Sequence, residues 1–258
     1  MRCAVVGHVE WVEFARVPAM PAAGEIVHAT ETFDEPAGGG AVVARQLARL
    51  NGRCEFFTAL GGDDLGRRAE RRLAELGIDV HVRWGGQTRR AWTHVDVRGE
   101  RTITVLGEKL LPDAPLPLDG YDLVFFVAGT VEALRAARGA RFVAGTVREL
   151  PTLKAAGVPL DLLVRSANDP GERYDDSLDA RVVVMTDGER GGTVNGAAYA
   201  AVKPSRVVDT YGAGDSFAAA VAFALARGDD LGDALALGAR AGSAVIEGAG
   251  PYASQLAF

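Results

Sequence analysis

The residues with the clearest chemistry lie in one glycine-containing stretch near the C-terminus, Val207 to Phe217. Gly212 and Gly214, with only Ala213 between them, predict a tight turn into the following run of small, helix-forming residues. The amides of this turn would stay free at the helix N-terminus, where the helix dipole favours an anion. Asp215 follows directly, so a carboxylate that can accept a proton stands beside a predicted anion site. Phosphoryl transfer to a hydroxyl group needs this combination.

Asp215 also fits an ordinary helix N-cap, because Asp is among the residues preferred there. Residue types and spacing alone leave both interpretations open. The longer stretch Asp209 to Phe217, DTYGAGDSF in one-letter code, resembles the C-terminal signature of the PfkB, or ribokinase-like, family of carbohydrate kinases. The resemblance implies that Asp215 takes the proton from the acceptor hydroxyl, and that Gly212, Ala213 and Gly214 form the anion hole for the transferred phosphate.

Composition limits the class of protein and its partners. The chain has 258 residues, of which 48% are hydrophobic and 24% charged, which is typical of a soluble globular protein. Its net charge of -6 argues against nucleic acid and anionic membranes as partners. We find no signal peptide and no apolar run long enough to span a bilayer, so a cytoplasmic protein is expected. Cys3 and Cys54 are predicted to be buried hydrophobes in a reducing compartment.

Hydrophobic runs alternate with helical patterns along the chain, which predicts a mostly parallel, doubly wound sheet. Strands are predicted at residues 3–7, 56–61, 123–128, 141–145, 160–164 and 182–186, with short antiparallel edge strands within 192–202. Helices are predicted at residues 42–50, 65–76, 216–227 and 231–246, with another ending near residue 138. Outside this alternation lie a predicted strand at residues 26–33 and a hairpin at residues 91–105.

The family resemblance implies a particular arrangement of these elements. It is a three-layer α/β/α sandwich, in which one kinase domain spans residues 1–258. A small β lid is expected from about residues 12–36 and 88–107. Relatives often pair through this lid, so a homodimer is expected by resemblance.

The first predicted strand is followed by His8 to Phe14, expected to be a loop that lines a site because ligands bind beyond the carboxyl ends of such strands. The family usually has an Asn and an Asp here that hold sugar hydroxyls. Glu10 stands at the Asn position and Val12 at the Asp position. Glu10 is therefore a candidate substrate residue that could accept a hydroxyl hydrogen bond or pair with an amine, whereas a valine can do neither.

A second expected substrate contact is also changed. The first family signature has two glycines, followed three residues later by an Asn that binds substrate. If Gly39 and Gly40 are this pair, Val43 replaces the Asn, and in the alternative register Val42 does. By themselves the glycines also fit a flexible turn. With Gly39, Gly40 and Val43 as substrate residues, we predict an acceptor that is less hydroxylated than ribose or differently charged.

The nucleotide is predicted to lie against two other segments. The stretch 186–191 resembles the Thr-x-Gly-x-x-Gly nucleotide loop of the family, in which glycines let the backbone approach phosphates. This makes Thr186, Gly188 and Gly191 candidate ATP contacts. The family places adenine over the last two helices, which implies Ala239 and Ser243.

Metal ions are implied by resemblance at two places. The family often has an Asn-x-x-Glu motif that helps to position Mg²⁺, and the simplest alignment puts Asp169 at its acidic position. Asn168 with Glu172 offers the same residue types with one extra spacer, and we favour Asp169. Asp209, with backbone carbonyls near Gly248, resembles a site for a monovalent cation such as K⁺.

These observations predict an ATP-dependent kinase that phosphorylates a hydroxymethyl group of a small sugar or sugar-like molecule. Two alternatives keep the fold: a ligand-binding relative without catalysis, and a nucleoside kinase. A nicotinamide oxidoreductase is disfavoured, because the glycine motif lacks its third glycine and follows the wrong strand. A Walker-type nucleotide site is disfavoured too, because the chain has no Gly-x4-Gly-Lys-Ser/Thr.

Overall fold

Two β-sheets organise the chain, and the computed structural model describes every residue from Met1 to Phe258. The large sheet contains β1 (Cys3–Val6), β4 (Glu55–Leu60), β5 (Asp79–Trp84), β8 (Leu123–Phe126), β9 (Phe142–Thr146), β10 (Leu160–Ser166), β11 (Ala180–Thr186), β12 (Gly192–Val194) and β13 (Ala197–Tyr199). The small sheet contains β2 (Glu10–Arg16), β3 (Glu31–Ala37), β6 (Arg90–Val95) and β7 (Arg101–Leu106). The helices are α1 (Gly39–Asn51), α2 (Asp64–Glu75), α3 (Val131–Ala137), α4 (Leu150–Ala156), α5 (Ala213–Arg227) and α6 (Leu231–Val245).

Alternate residues of the central strand β1 face two separate hydrophobic cores. Cys3 and Val5 pack into a core shared with α1, α2, α5 and α6. Ala4 and Val6 pack into a second core shared with α3 and α4. Because successive side chains of a strand point to opposite faces, the large sheet is covered on both sides. The predicted three-layer α/β/α sandwich is confirmed.

The strand order determines where a ligand can bind. The large sheet runs β13-β12-β11-β10-β9-β8-β1-β4-β5, and it is parallel from β11 to β5. The chain leaves β1 first towards β4 and β5, and later returns to the other side of β1 at β8. Such a reversal opens a crevice beyond the carboxyl ends of the strands. The functional site is therefore expected beyond Val6.

Two of the predicted local structures are wrong. Residues 10–16 form strand β2, whereas a loop was expected from His8 to Phe14. This segment pairs with β3 and β6, and these partners come from much later in the chain. The strand predicted for residues 26–33 begins only at Glu31, because pairing with β2 starts there and Ile26 is 88% exposed. The hairpin predicted at residues 91–105 is confirmed as β6 and β7.

The small sheet has a core of its own, formed by Val12, Phe14, Val42, Val95 and Tyr211 with Ala37 and Ala91. This core holds the sheet against the start of α1 and against the C-terminal motif. On another side, Arg72 of α2 makes a bidentate ion pair with Glu35 of β3 (2.6 and 2.9 Å). The sheet is therefore anchored to the main body at two places.

None of the six helices combines the length and the apolar character that crossing a membrane requires.

Candidate active site

The N-termini of α1 and α5 meet beyond the end of β1. A Cβ atom added at Gly39, the first residue of α1, would lie 3.0 Å from Oδ1 of Asp215 in the first turn of α5. Gly38, which precedes α1, donates its amide to the hydroxyl of Tyr211 (3.1 Å). These two residues are 173 positions apart in the sequence. The two glycine motifs of the chain therefore form one site.

The turn before α5 has the geometry that an anion loop needs. Gly212 has φ +80°, a left-handed conformation that favours glycine, and a Cβ atom there would lie 2.9 Å from Val42. α5 then begins at Ala213 without a side-chain cap. Ala213 donates its amide to the carbonyl of Thr210 (3.4 Å), whereas the amides of Gly214 and Asp215 have no carbonyl acceptor and stay free for a ligand, as is usual in the first turn of a helix. Gly214 is exposed there.

Asp215 is a partly exposed carboxylate in this first turn, and it makes no capping hydrogen bond. The interpretation of Asp215 as an ordinary N-cap is therefore wrong. Burial raises the pKa of its carboxyl group, while the positive charges of Arg101 and Arg148 lower it. A carboxylate with a raised pKa and no partner in the chain is suited to accept a proton from a ligand.

Asp209 fixes the turn before α5 through two buried hydrogen bonds. Its side chain is completely buried, and its two oxygens accept hydrogen bonds from the amides of Tyr211 and Gly250 (2.9 Å each). These bonds join the loop to the segment that follows α6, where Gly248 packs against Ser254. Both oxygens thus have a structural role. The monovalent cation at Asp209 and Gly248 stays a prediction, and no chemistry below uses it.

A second acidic group lies close to Asp215. Asp169 pairs with Arg148 and caps the amide of Gly171 (2.8 Å), while Glu172 accepts the amide of Ser166 (2.6 Å) and lies 3.5 Å from Arg148. Burial raises the pKa of Glu172, and the charges of Asp169 and Asp215 add to this effect. Arg148 thus links Glu172 to Asp169 beside Asp215. Carboxylate oxygens are the ligands that Mg²⁺ prefers, but each oxygen of these two acids already has a protein partner, so their binding of Mg²⁺ stays a prediction.

Glu10, His8 and Arg89 lie together beyond the end of β1, on what is predicted to be the acceptor side of the site. Glu10 is 7% exposed, and its Oε1 lies 3.1 Å from Nη1 of Arg89 and 3.8 Å from Nε2 of His8. Burial raises the pKa of Glu10, and Arg89 lowers it. The positive partner of Glu10 thus comes from the chain itself, which weakens the case for an amine-bearing acceptor. No motif in the sequence marks Arg89 or His8.

The valines that replace the expected polar contacts are packed away from the site. Val12, Val42 and Val43 have no exposed surface. Val43 belongs to the main core, while Val42 packs with Val12 under the small sheet. In this structure Val43 offers no surface to a ligand. Gly40 packs closely against the end of β1, since a Cβ atom there would lie 2.6 Å from the carbonyl of His8, and its contact with a substrate stays a prediction.

The small sheet closes over the anion loop through its β6–β7 turn. The carbonyl of Gly99 accepts hydrogen bonds from both the amide and the hydroxyl of Thr210 (2.9 and 3.0 Å). Arg101 of β7 donates to the carbonyl and the hydroxyl oxygen of Thr210 (3.1 and 3.2 Å). Arg101 has no carboxylate partner, and its charge acts on Asp215.

The residues predicted to bind the nucleotide lie at the end of β11, which is four strands from β1 in the large sheet, and on α6. Thr186 ends β11, and the loop after it turns through Gly188 and Gly191, which have φ +57° and +85°. A Cβ atom at Gly191 would lie 2.1 Å from the carbonyl of Tyr199, so only glycine fits there. Ala239 and Ser243 lie one turn apart on α6 and are 8% and 9% exposed. Their contact with ATP stays a prediction.

A doubly wound sheet with an anion loop at its switch point and a small sheet above it defines the ribokinase-like class of folds. The ribokinase of Thermotoga maritima superposes with a TM-score of 0.78 at 22% identity, covering 100% of this chain and 96% of that one. A nucleoside kinase of Burkholderia thailandensis, solved with inosine, gives 0.81 at 16% identity, covering 99% and 94%. The ribokinase of Arabidopsis thaliana, solved with ribose and ATP, gives 0.74 at 21% identity, covering 99% and 96%.

The family model described as pfkB family carbohydrate kinase matches residues 1–120 and 138–257, so the chain belongs to the PfkB family of kinases. An ATP-dependent ribose-1-phosphate kinase of Halopiger xanaduensis is 30% identical over 247 residues, which are 85% of this chain and 83% of that protein. A fructokinase of Salmonella typhimurium is 39% identical over 97 residues, only 36% of this chain and 31% of that protein. The protein is therefore a phosphotransferase of an ATP-using kinase family.

Proposed function

We propose that this protein transfers the γ-phosphoryl group of ATP to a hydroxymethyl group of a small sugar or sugar-like molecule. The observation that supports this function best is the Asp215 carboxylate, which has no capping partner and lies among the free amides of the α5 N-terminus. A protein that only bound ligands would gain nothing from an ionisable group in an anion site, because the carboxylate repels a bound phosphate. The non-catalytic alternative is therefore less well supported.

Each part of the site has a role in this reaction. Asp215 accepts the proton of the acceptor hydroxyl as that oxygen attacks the γ-phosphorus, the bond from this phosphorus to the β–γ bridging oxygen breaks, and ADP leaves. The amides of Gly212, Ala213 and Gly214 stabilise the negative charge on the transferred phosphoryl group. Asp169 and Glu172 would hold Mg²⁺, largely through water, and the ion would neutralise charge on the phosphates.

A nucleoside is the second candidate acceptor, and β7 supplies the observation in its favour. Ile103 and Val105 pair with the buried residues Thr93 and Ala91 and so share the inner face of the small sheet. They are still 40% and 42% exposed. An apolar wall of this kind suits the face of a nucleobase.

The direct test is phosphoryl transfer from ATP to a panel of sugars and nucleosides, with the product identified by mass spectrometry and NMR. We expect one class to react, with the new phosphate on its hydroxymethyl oxygen. ATP hydrolysis that no panel member stimulates, with no phosphorylated product, would contradict the proposal.

Because β7 is an edge strand, we also propose that two copies pair through the small sheet, and sedimentation velocity would detect the dimer.

The pH dependence of the reaction gives a further prediction. Asp215 works as a base only when it is ionised, so kcat/KM falls as the pH drops through its raised pKa. The charge of Arg101 lowers this pKa, so in Arg101→Met the acid limb of the pH profile should move to higher pH. The matched control is Arg98→Met, whose guanidinium is 78% exposed and pairs with Asp96. An acid limb at the same pH in both variants would exclude the proposed electrostatic effect of Arg101 on Asp215.

A further inference from the structure

Two buried nitrogen atoms on the acceptor side of the site have no hydrogen-bond partner. They are Nε of Arg89 and Nδ1 of His8. The two side chains are only 17% and 12% exposed, and both lie within ion-pair distance of Glu10. Buried polar atoms in native proteins nearly always have partners. A ligand with oxygen atoms would supply the acceptor that the Arg89 Nε–H lacks.

Three cations from separate segments surround these atoms, and each is paired with a carboxylate. Arg89 precedes β6 and pairs with Glu10, Lys109 follows β7 and pairs with Glu149, and Arg148 follows β9 and pairs with Asp169 and Glu172. All three act on His8: burial, followed by Lys109, Arg89 and Arg148, lowers its pKa to about 3. His8 is therefore neutral, and the cations beside it come from arginine and lysine.

Lys109 and Arg89 each pair with one carboxylate and still have N–H groups that could donate to a ligand. Lys109 donates to Glu149 (2.6 Å), and an ammonium group has three N–H donors. Arg89 is paired through Nη1 with Glu10, so its Nε–H remains free. Arg89 lies 3.1 Å from Glu10; burial raises the pKa of Glu10, and the charges of Arg89 and Lys109 lower it.

We propose that the acceptor carries an anionic group, a phosphate or a carboxylate, which Arg89 and Lys109 bind at the end of β1. This rests on the proposed kinase function and names the substrate class of the same site. It also accounts for the missing polar contacts. Val12 and Val42 are fully buried and cannot recognise hydroxyl groups, so recognition shifts to charge. Guanidinium and ammonium groups make their strongest hydrogen bonds to such anions.

Matched acceptors test this with the wild-type protein alone. One series is ribose, ribose 1-phosphate and ribonate, and the other is glucose, glucose 1-phosphate and gluconate. Each is phosphorylated from ATP, and kcat/KM is measured. We expect an anionic member to exceed the neutral sugar of its series by about 100-fold, which is the scale that hydrogen bonds to charged groups contribute. A preference for the phosphate or for the acid identifies the anion.

Two negative results have different meanings. If neutral sugars react as well as their anionic counterparts, the anionic acceptor is overturned and the kinase function stands. If no sugar, sugar phosphate, sugar acid or nucleoside is phosphorylated, the kinase function fails and this inference fails with it.

Substitutions test whether Lys109 and Arg89 bind the anionic group of the acceptor. In Lys109→Gln and in the double variant Glu10→Gln with Arg89→Gln, KM for the preferred anionic acceptor should rise by about 10-fold or more. The double substitution removes both members of the buried pair, so no unpaired charge is left to unfold the protein. The control Lys154→Gln removes an exposed pair with Asp175 and should change nothing. Equal losses on neutral and anionic acceptors would show a merely structural role and overturn the assignment.

Discussion

Replacing Asp215 by asparagine is expected to lower kcat by roughly 100-fold or more, because the variant keeps the shape of the site and loses its base. Binding of ATP should be kept or become tighter, since the amides of the anion loop remain and a charge that repels phosphate is removed. Steady-state rates with the best acceptor, and ATP titration followed by intrinsic fluorescence, separate the two effects. Wild-type turnover in Asp215→Asn would refute the role of this carboxylate as the base.

The same variant should also be more stable than the wild type at pH 7. Burial raises the pKa of Asp215 in the folded protein above its unfolded value. An ionised Asp215 therefore destabilises the fold at a pH above both values, and this cost disappears as the pH falls below the unfolded value. Asparagine carries no charge, so its advantage should be largest at neutral pH and shrink in acid. Urea unfolding at several pH values measures it.

Asp233 provides the matched control for both effects. It occupies the same place in the first turn of α6 as Asp215 does in α5, but it is exposed. Asp233→Asn should keep full activity and lose a little stability, because a negative charge near a helix N-terminus is favourable in water. Equal changes in the two variants would show that Asp215 is only a charge on a helix end.

Removing the side chain of Asp209 should have the largest effect on stability. Asp209→Ala leaves the amides of Tyr211 and Gly250 without acceptors in a completely buried place. Each unsatisfied group costs about 1–3 kcal/mol, so the free energy of unfolding should fall by about 2–6 kcal/mol. Activity should fall too, because these bonds join the anion loop to the segment after α6.

The comparison for Asp209→Ala is Asp230→Ala. Asp230 also accepts an amide, that of Asp233 at 2.9 Å, but it is exposed at the start of α6. Loss of such a cap costs about 0.5–2 kcal/mol. Urea unfolding of both variants gives the difference. A cost for Asp209→Ala no greater than that for Asp230→Ala would contradict the structural role assigned to the buried carboxylate.

Most helices and central strands could be predicted because their signals are local. A strand such as β4 is a short apolar run, and α2 has apolar residues on one face, so each pattern can be recognised within one turn or a few residues. Strand β2 could not be predicted in this way. Residues 10–16 are a strand because β3 and β6 lie on either side of them, and β6 is some 80 residues further along the chain.

The residues of the candidate site likewise fall into two groups, those marked by a local sequence motif and those that only the tertiary structure brings together. Asp215 and its glycines form a short motif whose turn chemistry can be recognised from the sequence. The sequence favours Asp169 over Glu172, because one extra residue separates Asn168 from Glu172 compared with the Asn-x-x-Glu motif. In the structure both acids lie beside Arg148. Arg89 and Lys109 belong to no motif, and only the small sheet and its connections bring them to the end of β1.

The amino-acid sequence by itself therefore determined the class of fold and the tight turn before α5, because turn geometry and hydrophobic periodicity depend on neighbouring residues. The roles of this turn as an anion loop and of Asp215 as the base come from the family resemblance and stay proposals. Only the tertiary structure decided that the substituted valines are packed away and that Arg89 meets Glu10. An ion pair between distant segments leaves no periodic trace in a sequence, since its formation depends on how the sheets and loops fold around it.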